Sequence, residues 1–139
     1  MRSTLFAIGL VATAALAADV SPGQWEITME TRVPEQPGFT PPPFSITQCL
    51  TEADARDPSR ILGGVSNPGA TSCDYTNKNL SGNTFTFTMQ CAGTYGIKAS
   101  GSVSFTSDTM QGTIDSTATV GDKPVQTVNK LSARRLGNC

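Results

Sequence analysis

Three carboxylates lie close together in the segment QCLTEADARDP, which begins at Gln48. Glu52, Asp54 and Asp57 carry the hard oxygen atoms that Ca²⁺ binds, but the segment lacks the glycine and the regularly alternating ligands of a calcium loop. Helix capping accounts for the same residues. Thr51 and Asp54 have the spacing of a capping box, and Asp57 stands before a proline, as the cap of a second turn would. We therefore predict one short helix after the second strand, and no metal site.

Serines and threonines are numerous, but the groups that would activate them as nucleophiles are missing from the sequence. There is no histidine to act as a base, and neither a G-x-S-x-G elbow nor an S-x-x-K motif occurs. No Walker or dinucleotide-binding glycine loop is found either. The sequence thus predicts no catalytic residue and no cofactor, and the chain is not expected to be an enzyme.

Four cysteines, Cys49, Cys73, Cys91 and Cys139, are the remaining reactive side chains. An even number of cysteines in an exported chain indicates two disulfides, which help a small domain because its core is marginal. Zinc binding is the alternative. However, the cysteine spacings are wide, no C-x-x-C pair occurs and histidine is absent.

The first residues have the order of a bacterial secretory signal peptide. Arg2 precedes an apolar run from Leu5 to Leu16 that is too short to span a bilayer, and small residues follow at the cleavage point. The alternative is a buried N-terminal helix. We predict a signal peptide at residues 1–17, a single disulfide-stapled β domain at residues 18–139, and a periplasmic or secreted location.

The charge balance argues against two classes of partner. Without Arg2, nine basic side chains remain against eleven acidic ones, so the chain lacks the basic footprint of a nucleic-acid-binding protein. The mature chain has no second long apolar run and no basic amphipathic helix to hold a membrane. We expect no nucleic-acid partner, and no membrane span in the mature form.

Alternating apolar and polar residues indicate strands throughout the mature chain. In QWEITMETRV, Trp25, Ile27 and Met29 share one face. A proline-rich stretch, residues 34–43, interrupts the pattern and is expected to be an extended surface segment. Phe44 then begins a short second strand.

Residues that lie opposite each other in an antiparallel pair must share a face of the sheet. This condition determines the register of the later hairpins. A three-residue loop at residues 81–83 places Cys73 opposite Cys91. Cys49 and Cys139 are then left as the second disulfide by elimination.

The following strands register in the same way, with turns expected at residues 107–108 and 122–123. Three of the pairs, Met89 with Ala99, Phe87 with Gly101 and Phe85 with Val103, set a large side chain against a small one on the same face. The predicted pairs are Tyr75 with Met89, Met89 with Ala99, Phe87 with Gly101, Phe85 with Val103, Phe105 with Met110, Gly101 with Ile114, Val120 with Val125, and Ile114 with Leu131.

Each predicted hairpin keeps its apolar side chains on one face, so we expect an all-β fold, an antiparallel meander of about seven strands. To hide that face, the sheet must curve strongly or form a small barrel, with a sandwich as the alternative. Gly101 and Gly112 lie inside strands, where glycine suits bends or close packing.

Two features suit binding. The proline-rich stretch, flanked by Phe39 and Phe44, is a lid, a docking strand or a crossing over a sheet edge. The large side chains of the concave face either enclose a small apolar ligand or fill a core. The residues concerned are Trp25, Met29, Phe85, Phe87, Met89, Phe105 and Met110.

Several segments resemble one known family. PGQWEITME, QCLTEADARDP, the CDY and MQC pieces and the closing LSARRLGNC are similar to exported bacterial proteins grouped as domain of unknown function 3617. The resemblance covers the mature chain and implies export and a disulfide framework, but no catalytic residue. A second resemblance, to lipocalins, rests on Gly23, Trp25, Arg134 and Arg135, and implies an arginine stacked over the tryptophan.

These observations lead to three hypotheses. The first is a non-enzymatic cell-envelope protein that binds a small apolar ligand or another envelope protein. The second is a purely structural or interaction module whose concave side is solid core. The third is an uncharacterised enzyme.

Overall fold

A computed structural model describes residues 20–63, 72–93 and 96–139. The predicted signal peptide lies outside these residues. Within them the chain has seven strands and two short helices. In chain order these are β1 (Gly23–Arg32), β2 (Phe44–Leu50), α1 (Glu52–Arg56), α2 (Pro58–Gly63), β3 (Ser72–Ser81), β4 (Thr84–Ala92), β5 (Lys98–Phe105), β6 (Thr109–Val120) and β7 (Lys123–Gly137).

The strands form one antiparallel sheet with the order β2-β1-β7-β6-β5-β4-β3, which confirms the predicted all-β class. The prediction differs in one detail, because the meander holds only from β3 to β7 and β1 pairs with β7. Of the two predicted alternatives, a curved sheet and a small barrel, the closed barrel is not formed, since β2 and β3 are the two edges of the sheet. Between these two edge strands, the described residues form α1 and α2.

The capping prediction is confirmed, but it produces two helices where one was expected. Thr51 Oγ1 accepts from the Asp54 backbone N–H at 3.2 Å, and Asp54 Oδ2 accepts from the Thr51 N–H at 3.1 Å. Asp57 has an extended backbone (φ −127°, ψ 95°), as expected for a residue before proline. It therefore ends α1, and its carboxylate caps α2 by accepting from the Ser59 N–H at 3.1 Å.

The β3–β4 register is right at the cysteines, although its turn is shorter than predicted. Cys73 lies opposite Cys91 and Tyr75 opposite Met89. The loop contains only Gly82 and a following asparagine. A register shift at Thr76 adds one unpaired residue to β3, so this β-bulge compensates for the shorter turn. The predicted registers of β4 with β5 and of β5 with β6 are confirmed.

The β6–β7 register differs from the prediction by two residues. Ile114 lies opposite Asn129, and Leu131 lies opposite Gly112. The turn begins one residue earlier than predicted, because Gly121 adopts φ +65°, a left-handed conformation that suits a tight hairpin. A shift of two residues keeps every side chain on its face, so the predicted apolar face is preserved.

The core lies on one face of the sheet and extends onto α2. Trp25, Ile27 and Val103 from the sheet belong to the same buried cluster as Ile61 and Leu62 from the helix. Two helices of five and six residues are too short to cover a flat seven-stranded sheet. The sheet must therefore curve around its own apolar face.

Candidate functional site

The large side chains predicted to face a ligand lie mainly in a packed core. Trp25 is fully buried and Phe105 and Met110 are 1% exposed. The Phe85 and Phe87 rings are also buried and stack on each other with centroids 5.5 Å apart. Met29 and Met89 are partly buried and pack against this cluster. These rings contact one another, which leaves less of their surface for a ligand.

The tryptophan end of the core is tethered by main-chain carbonyls. Trp25 Nε1 donates to the Ser21 carbonyl at 3.0 Å. Arg135 lies opposite Trp25 in the ladder, but its Nε donates to the Pro22 carbonyl at 3.0 Å and its Nη2 to Asn138 Oδ1 at 2.7 Å. The stacking implied by the lipocalin resemblance is therefore replaced by a clamp on the segment before β1. The cation–π contact found in the described residues joins Lys78 to Tyr75.

The acidic segment that follows β2 is occupied by its own capping and ion pairs. Hydrogen bonds from the Thr51 backbone and side chain, with Arg60 nearby, hold the pKa of Asp54 below its ordinary value. Glu52 pairs with Arg56 at 3.9 Å on the surface. No group of three histidine, cysteine, aspartate or glutamate residues suited to a metal ion occurs in the described ranges.

Tyr75 connects α2 to the β3 edge. Its hydroxyl donates to the Ser59 carbonyl at 2.9 Å, and its ring meets Phe85 and Phe87 edge-on. Burial raises the pKa of Tyr75 to about 12, and the nearby Asp57 contributes to the shift. The sequence predicted the register of Tyr75 but not this contact with the helix.

Each edge strand contains one cysteine of a disulfide bond. Cys49 in β2 bonds to Cys139, and Cys73 in β3 bonds to Cys91. These are the two pairs expected from the sequence. The Cys49–Cys139 bond joins the β2 edge to the chain beyond β7, and the other bond staples the β3–β4 hairpin.

The proline-rich stretch forms the connection of the β1–β2 hairpin rather than a crossing over a sheet edge. Its backbone makes turns in which Gln36 donates to the Val33 carbonyl and Phe39 to the Gln36 carbonyl. Phe39, within the stretch, and Phe44, directly after it, are each 56% exposed. The hairpin thus presents aromatic side chains to solvent beside the β2 edge.

The two sheet edges differ in how they discourage pairing with another strand. β3 contains Asp74 and Lys78, and its bulge at Thr76 interrupts the ladder. Charges and bulges protect exposed edges in this way. β2, with the sequence FSITQCL, has no charge, proline or register shift. The sequence analysis did not identify this edge, although the absence of charged residues from the strand FSITQCL could have indicated it.

Among the described residues, no helix has both the length and the apolar character needed to cross a membrane.

Comparison with known proteins gives one relationship. No curated protein and no solved structure matches the chain. The family model described as a protein of unknown function, DUF3617, matches residues 20–139. This range contains both disulfides and every strand of the sheet. The chain therefore belongs to the DUF3617 family.

Proposed function

We propose that this protein is an exported, non-enzymatic cell-envelope protein that binds another envelope protein along β2. The observation that carries the proposal is the unprotected β2 edge beside the exposed Phe44. Two disulfides support an oxidising compartment, and the signal peptide expected at residues 1–17 agrees with export.

The chemistry of β2 defines the partner. Four side chains of β2 face the core side: Phe44, Ile46, Gln48 and Leu50. Leu50 is buried and Gln48 is half-buried, so the accessible apolar side chains at this edge are Phe44, which is exposed, and Ile46, which is partly buried. An added strand would satisfy the free backbone groups of β2 and cover these two side chains. We therefore expect an extended partner segment whose apolar residues alternate with polar ones.

A small apolar ligand inside the core is the competing function. The partly buried Met29 and Met89 favour it, because flexible methionine side chains adapt to different ligands. The stacked and buried phenylalanines favour the protein partner instead, because they already fill the space between the strands.

Site-specific photo-crosslinking in the native host tests the proposal. A photoreactive residue at Thr47, on the β2 edge, should crosslink to a defined protein. The same residue at Thr113, which is exposed on the interior strand β6, should not. Equal crosslinking at both positions, or none at Thr47, would contradict the proposal.

A lysine introduced on the β2 edge tests whether the partner binds there by strand addition. Thr47→Lys should abolish the crosslink from a photoreactive residue placed at Ser45, because an edge lysine opposes strand addition. Thr113→Lys should leave that crosslink unchanged. A native mass spectrum of the purified protein with a bound small apolar molecule would favour the ligand function instead.

A further inference from the structure

The connection between β1 and β2 is longer than the hairpin needs. Met29 lies opposite Phe44, and an antiparallel hairpin closes with a loop of about two to five residues. Here residues 30–43, fourteen in all, separate the two positions, and only 30–32 continue β1 along β7. Loops that are longer than their strands require often carry binding residues. The extra length therefore calls for an explanation other than chain reversal.

Proline fixes the backbone of the last part of this connection. Residues Phe39–Pro43, here called the triple-proline segment, end in three consecutive prolines. Each proline ring restricts its own φ, and each residue that precedes a proline is driven to an extended ψ. The segment is assigned to no helix, strand or turn. It is therefore a stiff stretch of polyproline II type, which loses little conformational entropy when it binds.

The triple-proline segment is held in solvent with its apolar groups uncovered. Phe39 at its start and Phe44 directly after it, both 56% exposed, are the most exposed large apolar side chains of the described residues. Pro42 and Pro43 between them are also exposed. The Phe39 N–H bonds back into the loop, but no carbonyl from 39 to 43 accepts a hydrogen bond from the described residues. Both the rings and the carbonyls are therefore available to a partner.

The chemistry of the segment selects the class of partner. Consecutive proline rings form an apolar ridge that packs between aromatic side chains, and the free carbonyls accept hydrogen bonds from tryptophan N–H or tyrosine O–H groups. No charged residue occurs between Glu35 and Glu52, so a charged groove would gain nothing from this stretch. At a rise of about 3.1 Å per residue, Phe39 and Phe44 are about 15 Å apart. The matching groove therefore has an apolar pocket near each end.

We propose that the triple-proline segment docks into a groove, lined by tyrosine and tryptophan side chains, on another protein. Phe39 and Phe44 fill the pockets at the two ends of that groove. This mode of recognition differs from strand addition along β2, because the prolines have no N–H with which to extend the ladder. Phe44 belongs to both surfaces, so the test uses Thr40 on one side of it and Thr47 on the other.

A photoreactive residue at Thr40, introduced in the native host, tests the proposal. It should crosslink to a protein whose crosslinked peptide contains tyrosine or tryptophan. Pro42→Ala combined with Pro43→Ala frees the backbone and removes the ridge, so it should reduce this crosslink by about tenfold or more. Pro34→Ala combined with Pro37→Ala is the matched control. It removes two exposed prolines of the same loop but leaves the triple-proline segment intact, and the crosslink should stay within about twofold.

Phe39→Ala tests one anchor without changing any proline, and it should weaken the Thr40 crosslink by roughly fivefold or more. All these variants should remain folded, as circular dichroism would show, because the altered side chains are exposed.

The outcomes at Thr40 and Thr47 separate the two proposals. No crosslink at Thr40, an equal decrease in both double-proline variants, or a crosslinked peptide without tyrosine and tryptophan would overturn the docking of the triple-proline segment. A crosslink at Thr47 without one at Thr40 overturns this inference alone. A crosslink at Thr40 without one at Thr47 overturns only the strand addition proposed for β2.

Discussion

Tyr75 shows how one side chain connects distant parts of this chain. Its hydroxyl reaches the Ser59 carbonyl of α2 while its ring packs on Phe85 and Phe87. The buried position favours the neutral phenol over the charged phenolate, so burial raises its pKa from 10.0 to about 12. A raised pKa in the folded state means that the folded protein holds this proton more tightly than the unfolded chain does.

The pH dependence of stability follows from that difference. The contribution of Tyr75 is fully present below pH 10 and is lost as the pH rises through about 12. With solvent screening at a half-buried site, the loss should be about 1 kcal/mol. Tyr75→Phe lacks both the proton and the hydrogen bond, so it should be less stable by about 1 kcal/mol at neutral pH.

Urea denaturation of both proteins at about pH 8 and about pH 11 measures the effect. The difference in free energy of unfolding between wild type and Tyr75→Phe should be smaller at the higher pH. If both proteins lost the same free energy of unfolding between the two pH values, Tyr75 would not be the cause of the loss of stability at alkaline pH.

Capping was predictable at the residue scale, whereas the partners of long polar side chains were not. Thr51, Asp54 and Asp57 are local signals, because each cap lies within three residues of the group it binds. One of the two arginines Arg134 and Arg135 was expected over Trp25, and Arg135 does lie opposite Trp25. Its guanidinium nevertheless bonds the Pro22 carbonyl, a choice that depends on how the chain before β1 turns.

At the scale of elements, β5 and β6 approach closely because Gly112 has no side chain. A Cβ on Gly112 would overlap the Ser102 carbonyl oxygen and lie 2.7 Å from Val103 Cγ2. Since the carbonyl is part of the sheet backbone, it cannot move aside without disturbing the ladder. The strands therefore depend on glycine here for space.

Gly112→Ala should lower the free energy of unfolding by roughly 1–3 kcal/mol, as overpacking in a core does. Gly38→Ala is the matched control, because nothing lies within 4 Å of its Cβ position, and it should change stability by less than about 0.5 kcal/mol. Thermal unfolding of the two variants measures the difference. Equal stability of the two would mean that the strands separate easily at Gly112.

The face of each strand was predictable from the sequence, but the exact hairpin turns were not. Alternation defines a face with period two, so a register error of two residues between β6 and β7 left the apolar face intact. The turn position depended on Gly121 adopting φ +65°, and the bulge at Thr76 has no signal in composition.

For the whole molecule, the disulfides stabilise through loops of very different length. Cys49 and Cys139 are separated by 90 residues, and Cys73 and Cys91 by 18. Closing a longer loop removes more entropy from the unfolded chain. The loop-entropy model gives about 4–5 kcal/mol for the first bond and about 3 kcal/mol for the second.

The double variant Cys49→Ser with Cys139→Ser should therefore be less stable than Cys73→Ser with Cys91→Ser by roughly 1 kcal/mol. Each pair is removed completely, so no free thiol remains to form a wrong bond. Urea denaturation of the two variants and the wild type gives the comparison. A larger loss from the Cys73–Cys91 pair would contradict the loop-entropy account.

The strand order also affects the order in which the strands are expected to pair during folding. β1 is synthesised before β7, yet its ladder partners include Arg135, near the far end of the sequence. The β3–β7 strands pair with sequence neighbours and can assemble early, whereas the β1–β2 hairpin must wait for a contact of high sequence separation. Until then the flank of β7 is an open edge that invites aggregation. Because the Cys49–Cys139 bond joins β2 to the chain beyond β7, we expect it to form only after the β1–β2 hairpin has paired with β7.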